Sequence, residues 1–237
     1  MLDMPLPVYN GRASGDDDCA PVAKPASPLE RRIAWLLRIA IVATTVGHVL
    51  QGQYLYTLIC VVALGLVVAP PLLARTGRAN VPIELELAVL WWMVADMSLG
   101  RLGALYDTSA WFDKALHFGN SVVLGMLAFL FVYALHMTGR LRTSTVVQGL
   151  LILLVTLGFG AFWEIVEYVV DQFFARGAQG SPIMAPLDDT MWDLILDGMG
   201  GLLGALLGPL YIKYSTRSHC RVAAFAKLLP DEDAHDV

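Results

Sequence analysis

The chain has 237 residues, 57% of them hydrophobic and 16% charged, with a formal net charge of −5. Apolar runs close to the roughly 20 residues that cross a bilayer recur along it, which excludes an ordinary soluble domain and indicates a multi-spanning membrane protein. The strict alternation of a membrane barrel is absent, and no nucleic-acid signature, phosphate-binding glycine loop or hydrolase serine motif is present.

The first 28 residues hold five prolines and the Asp16–Asp18 run but no apolar stretch. Residues 1–30 therefore read as a disordered cytoplasmic tail, not a cleavable signal peptide, and the first helix serves as an uncleaved anchor. A transmembrane domain over residues 31–214 follows, with six predicted spans: Ile33–Val49, Tyr54–Ala74, Pro82–Leu99, Ala115–Met137, Thr145–Val170 and Thr190–Tyr214. The interruptions are short, so one all-α polytopic helical bundle is expected. Residues 215–237 form a second polar tail. Cys19, Cys60 and Cys220 show neither metal-type spacing nor a plausible disulfide partnership, which argues against a redox role.

Lys and Arg mark cytoplasmic loops. Twelve of them fall on one side of this topology: Arg12, Lys24, Arg31 and Arg32; Arg75 and Arg78; Arg140 and Arg142; Lys213, Arg217, Arg221 and Lys227. Only Arg101, Lys114 and Arg176 fall on the other, and Arg38 lies within the first helix. Both termini are thus expected in the cytoplasm. With that orientation the intramembrane ionisable residues gather toward the external leaflet, joined there by Asp96 and His48.

A charge at mid-membrane depth costs about 2.5–3.5 kcal/mol on insertion scales, so residues kept there need a partner, a proton, a cation or water. Glu164, Glu167, Tyr168 and Asp171 follow i, i+3, i+4, i+7 spacing; Asp189, Asp193 and Asp197 follow i, i+4, i+8; Asp113, His117 and Asn120 form a third stripe. Three stripes at one depth can enclose a single pocket. Carboxylates this close cannot all ionise in a dry site unless Lys114 or a cation offsets them. Asp113, Lys114 and His117 are the candidate acid–base residues. Glu164, Glu167, Asp189, Asp193 and Asp197 are the candidate oxygen donors for a divalent cation such as Mg²⁺. The plainer alternative is a hydrogen-bonded network that fixes helix packing, with Asp171 and Asp188 solvated at the interface. Gly200, Gly204 and Gly208 repeat at every fourth position, which suits close packing within the bundle or a homodimer through that face. Trp111 and Trp192 fit an interfacial aromatic belt. The loop over residues 172–188 reads as a lid over the cavity or as a tether.

The run Trp111-Phe-Asp-Lys-Ala-Leu-His-Phe118 resembles the Asp-Lys-x-x-His-Phe element of VanZ-like membrane proteins. Asp193-x3-Asp197-x2-Gly200-x3-Gly204 is similar to their closing Asp-x3-Asn-x2-Gly-x3-Gly pattern, with Asp197 in place of Asn. The closer resemblance is to the YjdF-like family of bacterial inner-membrane proteins. It rests on Asp113–Phe118, the pair Trp163-Glu164, and Gln179-Gly180 followed by Asp189-Thr-Met-Trp-Asp193, all within Pro82–Leu210. It implies a multi-pass inner-membrane protein and marks where a site lies, without supplying a reaction; the VanZ-like group implies a connection with glycopeptide resistance and the cell envelope.

Three functions fit these residues. One is an envelope enzyme acting on a lipid-linked or phosphorylated substrate at the outer leaflet, with carboxylates holding a hard cation. The second is a proton- or cation-coupled transporter or lipid-handling protein. The third is a non-catalytic membrane component whose acidic site binds a partner's basic segment or a lipid head group. Whether the chain is an enzyme stays open at this point.

Overall fold

The computed structural model describes residues 27–74, 83–174, 179–180 and 184–214, and for 66–74, 84–85, 137 and 212–214 the backbone alone. The expected tail over 215–237, most of the tail over 1–30 and much of the 172–188 loop lie outside these residues. Among the described residues the regular structure is helical: α1 (Pro28–Leu50), α2 (Tyr54–Ala74), α3 (Ile83–Met93), a π-helical segment (Val94–Leu102), α4 (Leu105–Thr108), α5 (Phe112–Met137), α6 (Thr145–Phe174) and α7 (Pro186–Tyr214).

Among the described residues four helices are long and apolar enough to cross a membrane: Pro28–Leu50, Phe112–His136, Thr145–Phe174 and Pro186–Tyr211. Six spans were expected. Of the other two, α2 shows a shorter apolar stretch over Tyr54–Gly65. The predicted span Pro82–Leu99 falls, from Ile83 onward, on α3 and the π-helical segment that follows it.

α1 begins at Pro28, a turn earlier than the apolar pattern places it. Ser27 caps the helix by accepting from the Glu30 amide while Glu30 reaches back to the Ser27 amide, and Pro28 fits the first turn, where its missing N–H costs nothing. The nominal tail residues 28–30 are therefore helical. Within the π-helical segment the hydrogen-bonding step lengthens from four residues to five, as in the bond of 2.8 Å from the Gly103 amide to the Ser98 carbonyl. Gly100 lies under the Tyr106 ring, where any Cβ would collide.

The chain divides into two compact units. The first comprises Ala23–Leu116 and Arg176–Thr190, so it holds α1 to α4 and the opening turns of α5 and α7. Its core gathers Ala34, Ile41, Cys60, Leu90, Met93 and Met97. Arg38 of α1 is neutralised by Glu86 of α3, and Thr44 meets Ser98 at 2.6 Å. His48, expected to join the acidic residues, bonds to Gln53 at 2.6 Å and to the Met97 carbonyl at 3.2 Å.

The second unit contains His117–Ala175 and Met191–Val237, that is, most of α5, α6 and α7. Its apolar core centres on Phe129, Val132, Tyr133 and Ile152. Lipid tails are as apolar as leucine, so helices in a bilayer associate through close packing and polar contacts. Here Gly204 packs on the backbone of α5 at Gly125 and Met126, Gly200 on Phe118 and Ser121, and Gly208 on the Phe129 ring. All three glycines are buried within the unit. The face expected for a homodimer is thus covered by α5, which corrects that expectation: small residues let the chain's own backbone approach first. Outward, α6 exposes Leu150, Leu154, Phe159 and Phe162, as a lipid-facing surface requires.

Candidate functional site

The second unit places a histidine between carboxylates on both edges of its ring. His117 of α5 is 9% exposed, and Asp193 and Asp197 of α7 and Glu164 of α6 are at 1%, 2% and 5%. His117 Nδ1 lies 3.3 Å from both carboxylate oxygens of Asp197. On the other edge, Nε2 is 3.8 Å from Glu164 Oε1 and 3.9 Å from Asp193 Oδ1. Asp193 and Asp197 are one helical turn apart, so a single helix delivers one carboxylate to each nitrogen.

Asp197 is itself fixed. Ser121, one turn after His117, donates its hydroxyl to Asp197 Oδ1 at 2.6 Å. α6 makes room for the carboxylate at Gly160, where a Cβ would run into it. Thr156, one turn earlier, is fully buried against Gly201. Imidazole, three carboxylates and a hydroxyl can hold a cation, pass a proton, or bind a basic group.

The first unit collects a second group of the predicted residues. Lys114, 4% exposed, reaches Asp189 Oδ1 at 2.5 Å, the Asp189 carbonyl at 3.3 Å and Asp113 Oδ2 at 3.1 Å. The second Asp189 oxygen accepts from the Gly180 amide at 2.8 Å, and Gln179 donates to the Thr190 hydroxyl at 3.2 Å. The two halves of the Gln-Gly and Asp-Thr motif are thus bonded to each other. Gly180 sits at φ +79°, a left-handed conformation that suits glycine, and a Cβ there would crowd the Met184 carbonyl. These residues tether the loop to the start of α7. Arg101, Tyr106, Asp113, Gly180 and Asp189 line one cleft. In its wall Arg101 lies over the Tyr106 ring at 4.3 Å and the Tyr56 ring at 5.6 Å. Tyr106 donates to Asp96 at 2.7 Å. Burial, then the Asp96 charge, pushes the Tyr106 hydroxyl well above its ordinary pKa, so it stays a donor.

His117, Glu164, Asp193 and Asp197 come together in the second unit, and Asp113, Lys114 and Asp189 in the first. Glu167 accepts from the Trp163 indole on its own helix at 2.9 Å. Tyr168 is 53% exposed, so the i, i+4 stripe of α6 is not one buried face. Sequence reasoning missed Ser121 and Gly160. Ser121 is four residues from His117 and Gly160 four before Glu164, so helical spacing carried the signal for both.

Comparisons with curated proteins and with solved structures returned no match. A family match covers residues 33–214, under the description predicted membrane protein (DUF2238). It is compatible with the YjdF-like resemblance and does not itself show kinship with VanZ-like proteins. The protein, with its apolar helices and lipid-facing surfaces, belongs to this family of predicted membrane proteins.

Proposed function

We propose that the chain is an inner-membrane protein with both termini cytoplasmic, in which Glu164, Asp193 and His117 hold a divalent cation near the outer leaflet. That cation serves an envelope substrate that is lipid-linked or phosphorylated, by polarising a phosphoryl oxygen or a bound water. One observation carries the reading: two carboxylate oxygens from two helices stand 3.8 and 3.9 Å from the same imidazole nitrogen. Two donors that are each about 2.1 Å from a shared ion are separated by no more than about 4.2 Å. Each of these two oxygens therefore stands within reach of an ion shared with the imidazole. Lys114, matched by Asp189 and Asp113, acts in this reading as a fixed counter-charge and not as an acid–base group.

Metal analysis of protein purified in dialysed detergent tests this. The wild type is expected to retain about one equivalent of a divalent cation and to gain thermal stability when the stripped protein is reloaded. Glu164→Gln and Asp193→Asn are expected to lose the ion while keeping their helical content. Protein that binds none of Mg²⁺, Mn²⁺ and Zn²⁺, and whose stability none of them changes, would overturn the reading. A second reading, proton- or cation-coupled transport, is favoured by the carboxylates on both edges of the ring, since such a chain also relays protons. It predicts pH-driven flux in vesicles without a bound metal.

A further inference from the structure

We infer that the cleft of the first unit binds the headgroup of an aminophospholipid, taking its primary ammonium against Asp113 and its phosphate against Arg101. Every residue involved belongs to the first unit, so this site is independent of the cation reading. Arg101, Tyr106, Ser109, Asp113, Gly180 and Asp189 line the cleft. They come from the π-helical segment, from α4 and the turn after it, from α5, from the loop and from α7, so well-separated pieces of chain converge on one opening.

Charge decides the class of ligand. Lys114, at 2.5 Å, matches the Asp189 carboxylate from behind the wall. Beyond that pair the cleft presents one guanidinium, Arg101, and one carboxylate, Asp113, whose side chain keeps 22% exposure although it also meets Lys114. A simple anion would be drawn to Arg101 and repelled by Asp113, and a simple cation the reverse. A zwitterion satisfies both. These groups can take a ligand beside their present partners, since a carboxylate accepts at about four sites and a guanidinium donates five N–H bonds. The Tyr106 and Tyr56 rings hold the Arg101 side chain in place beforehand.

Size narrows the choice further. The empty space is about 310 Å³ when the open mouth is counted, but the enclosed part has room for little more than one water-sized group. A primary ammonium is of that size and carries three donors, for which the wall offers the Asp113 carboxylate, the Ser109 hydroxyl and the Asp189 carboxylate. A trimethylammonium is larger and has no N–H to give. Position points to a lipid as the source. The cleft lies at the opening turns of α5 and α7, two helices long enough to cross a membrane, and so at the level of the headgroups. Trp111 next to it is 77% exposed, and tryptophan is a residue type that settles at this boundary.

The test titrates delipidated, full-length protein in detergent with phosphatidylethanolamine, phosphatidylcholine and phosphatidylglycerol of identical acyl chains, with binding read by native mass spectrometry. Phosphatidylethanolamine is expected to bind about tenfold tighter than the other two, the worth of one charge-assisted hydrogen bond. Asp113→Asn is expected to abolish that preference, and Arg101→Gln to weaken all three lipids alike, because each carries the phosphate. Ser109→Ala leaves every charge intact and is expected to weaken phosphatidylethanolamine about threefold. It carries the test if either charge variant loses its helical content. Free phosphoethanolamine is expected to bind more weakly than the lipid, and equal binding of the two overturns the lipid source. Equal affinity for the three lipids, or a preference that survives both Asp113→Asn and Ser109→Ala, overturns the site.

Discussion

Lys114 shows at the scale of a single residue how this chain tolerates charge among apolar helices. Its ammonium is 4% exposed and meets two carboxylates and a carbonyl, while Asp189 also accepts a backbone amide. An ion pair this buried contributes little net stability when intact, because desolvation offsets the attraction, but removing one partner strands the other. Lys114→Met is therefore expected to cost about 3–5 kcal/mol in reversible unfolding in mixed micelles. The double variant Lys114→Met with Asp189→Leu should recover much of that loss, since no charge of the pair is left behind. Equal losses in the single and double variants would show that Lys114 acts through something other than this pair. The sequence made the pair legible only in part. Lys114 was visible as the cation nearest the carboxylates, but spacing grouped Asp189 with Asp193 and Asp197, because all three share a stripe on α7. Which of the three turns toward a lysine depends on what surrounds each turn of the helix, and one helix's periodicity does not contain that.

At the scale of elements, α5 and α7 are held together by missing side chains. Gly204 lies so close to the α5 backbone that its Cβ would come within 2.8 Å of Gly125 and Met126 backbone atoms. Backbone cannot rotate away as a side chain does, so the helices must separate. Gly204→Ala is expected to destabilise the protein by about 1–3 kcal/mol, the usual cost of overpacking. Gly158 on α6 has nothing within 4 Å of the same point, and Gly158→Ala should be neutral or stabilising by up to about 1 kcal/mol, because alanine is the better helix former. Thermal unfolding of the two variants side by side decides the matter; a harmless alanine at position 204 would mean the packing is looser than the backbone approach indicates. This seam was readable, since small residues at every fourth position announce close approach, though not whether the approaching helix belongs to the same chain. The π-helical segment was not readable. Val94–Leu102 contains no proline, and its apolar residues look like an ordinary continuation of α3. The wider step brings Asp96 near Tyr106 and is set by tertiary packing. Gly160 was legible only as a position one turn from Glu164: a glycine inside a membrane helix is common, and its purpose emerges only when Asp197 is found where a Cβ would stand.

Over the whole molecule, Lys and Arg are distributed unequally. Orientation in the membrane follows cationic residues near the ends of the spans. The turn between α5 and α6 carries Arg140 and Arg142, and the stretch between the π-helical segment and α5 carries no lysine or arginine over residues 102–111. Those two connections lie at opposite ends of α5, which at 26 residues is long enough to separate two aqueous faces. In a background with Cys19, Cys60 and Cys220 replaced, Thr108→Cys is expected to react with an impermeant maleimide added to intact cells. Ser144→Cys should react only after the membrane is opened. Both positions are exposed, so a failure to label reflects the side of the membrane and not burial. The opposite labelling pattern would invert the topology and put the His117 end of α5 toward the cytoplasm. The cation site would survive that result, but an outer-leaflet substrate would not, because its headgroup would lie on the wrong side of the bilayer. Labelling of both positions from outside would show that α5 does not cross, leaving the run of apolar side chains over Val122–Tyr133 without the lipid that explains it.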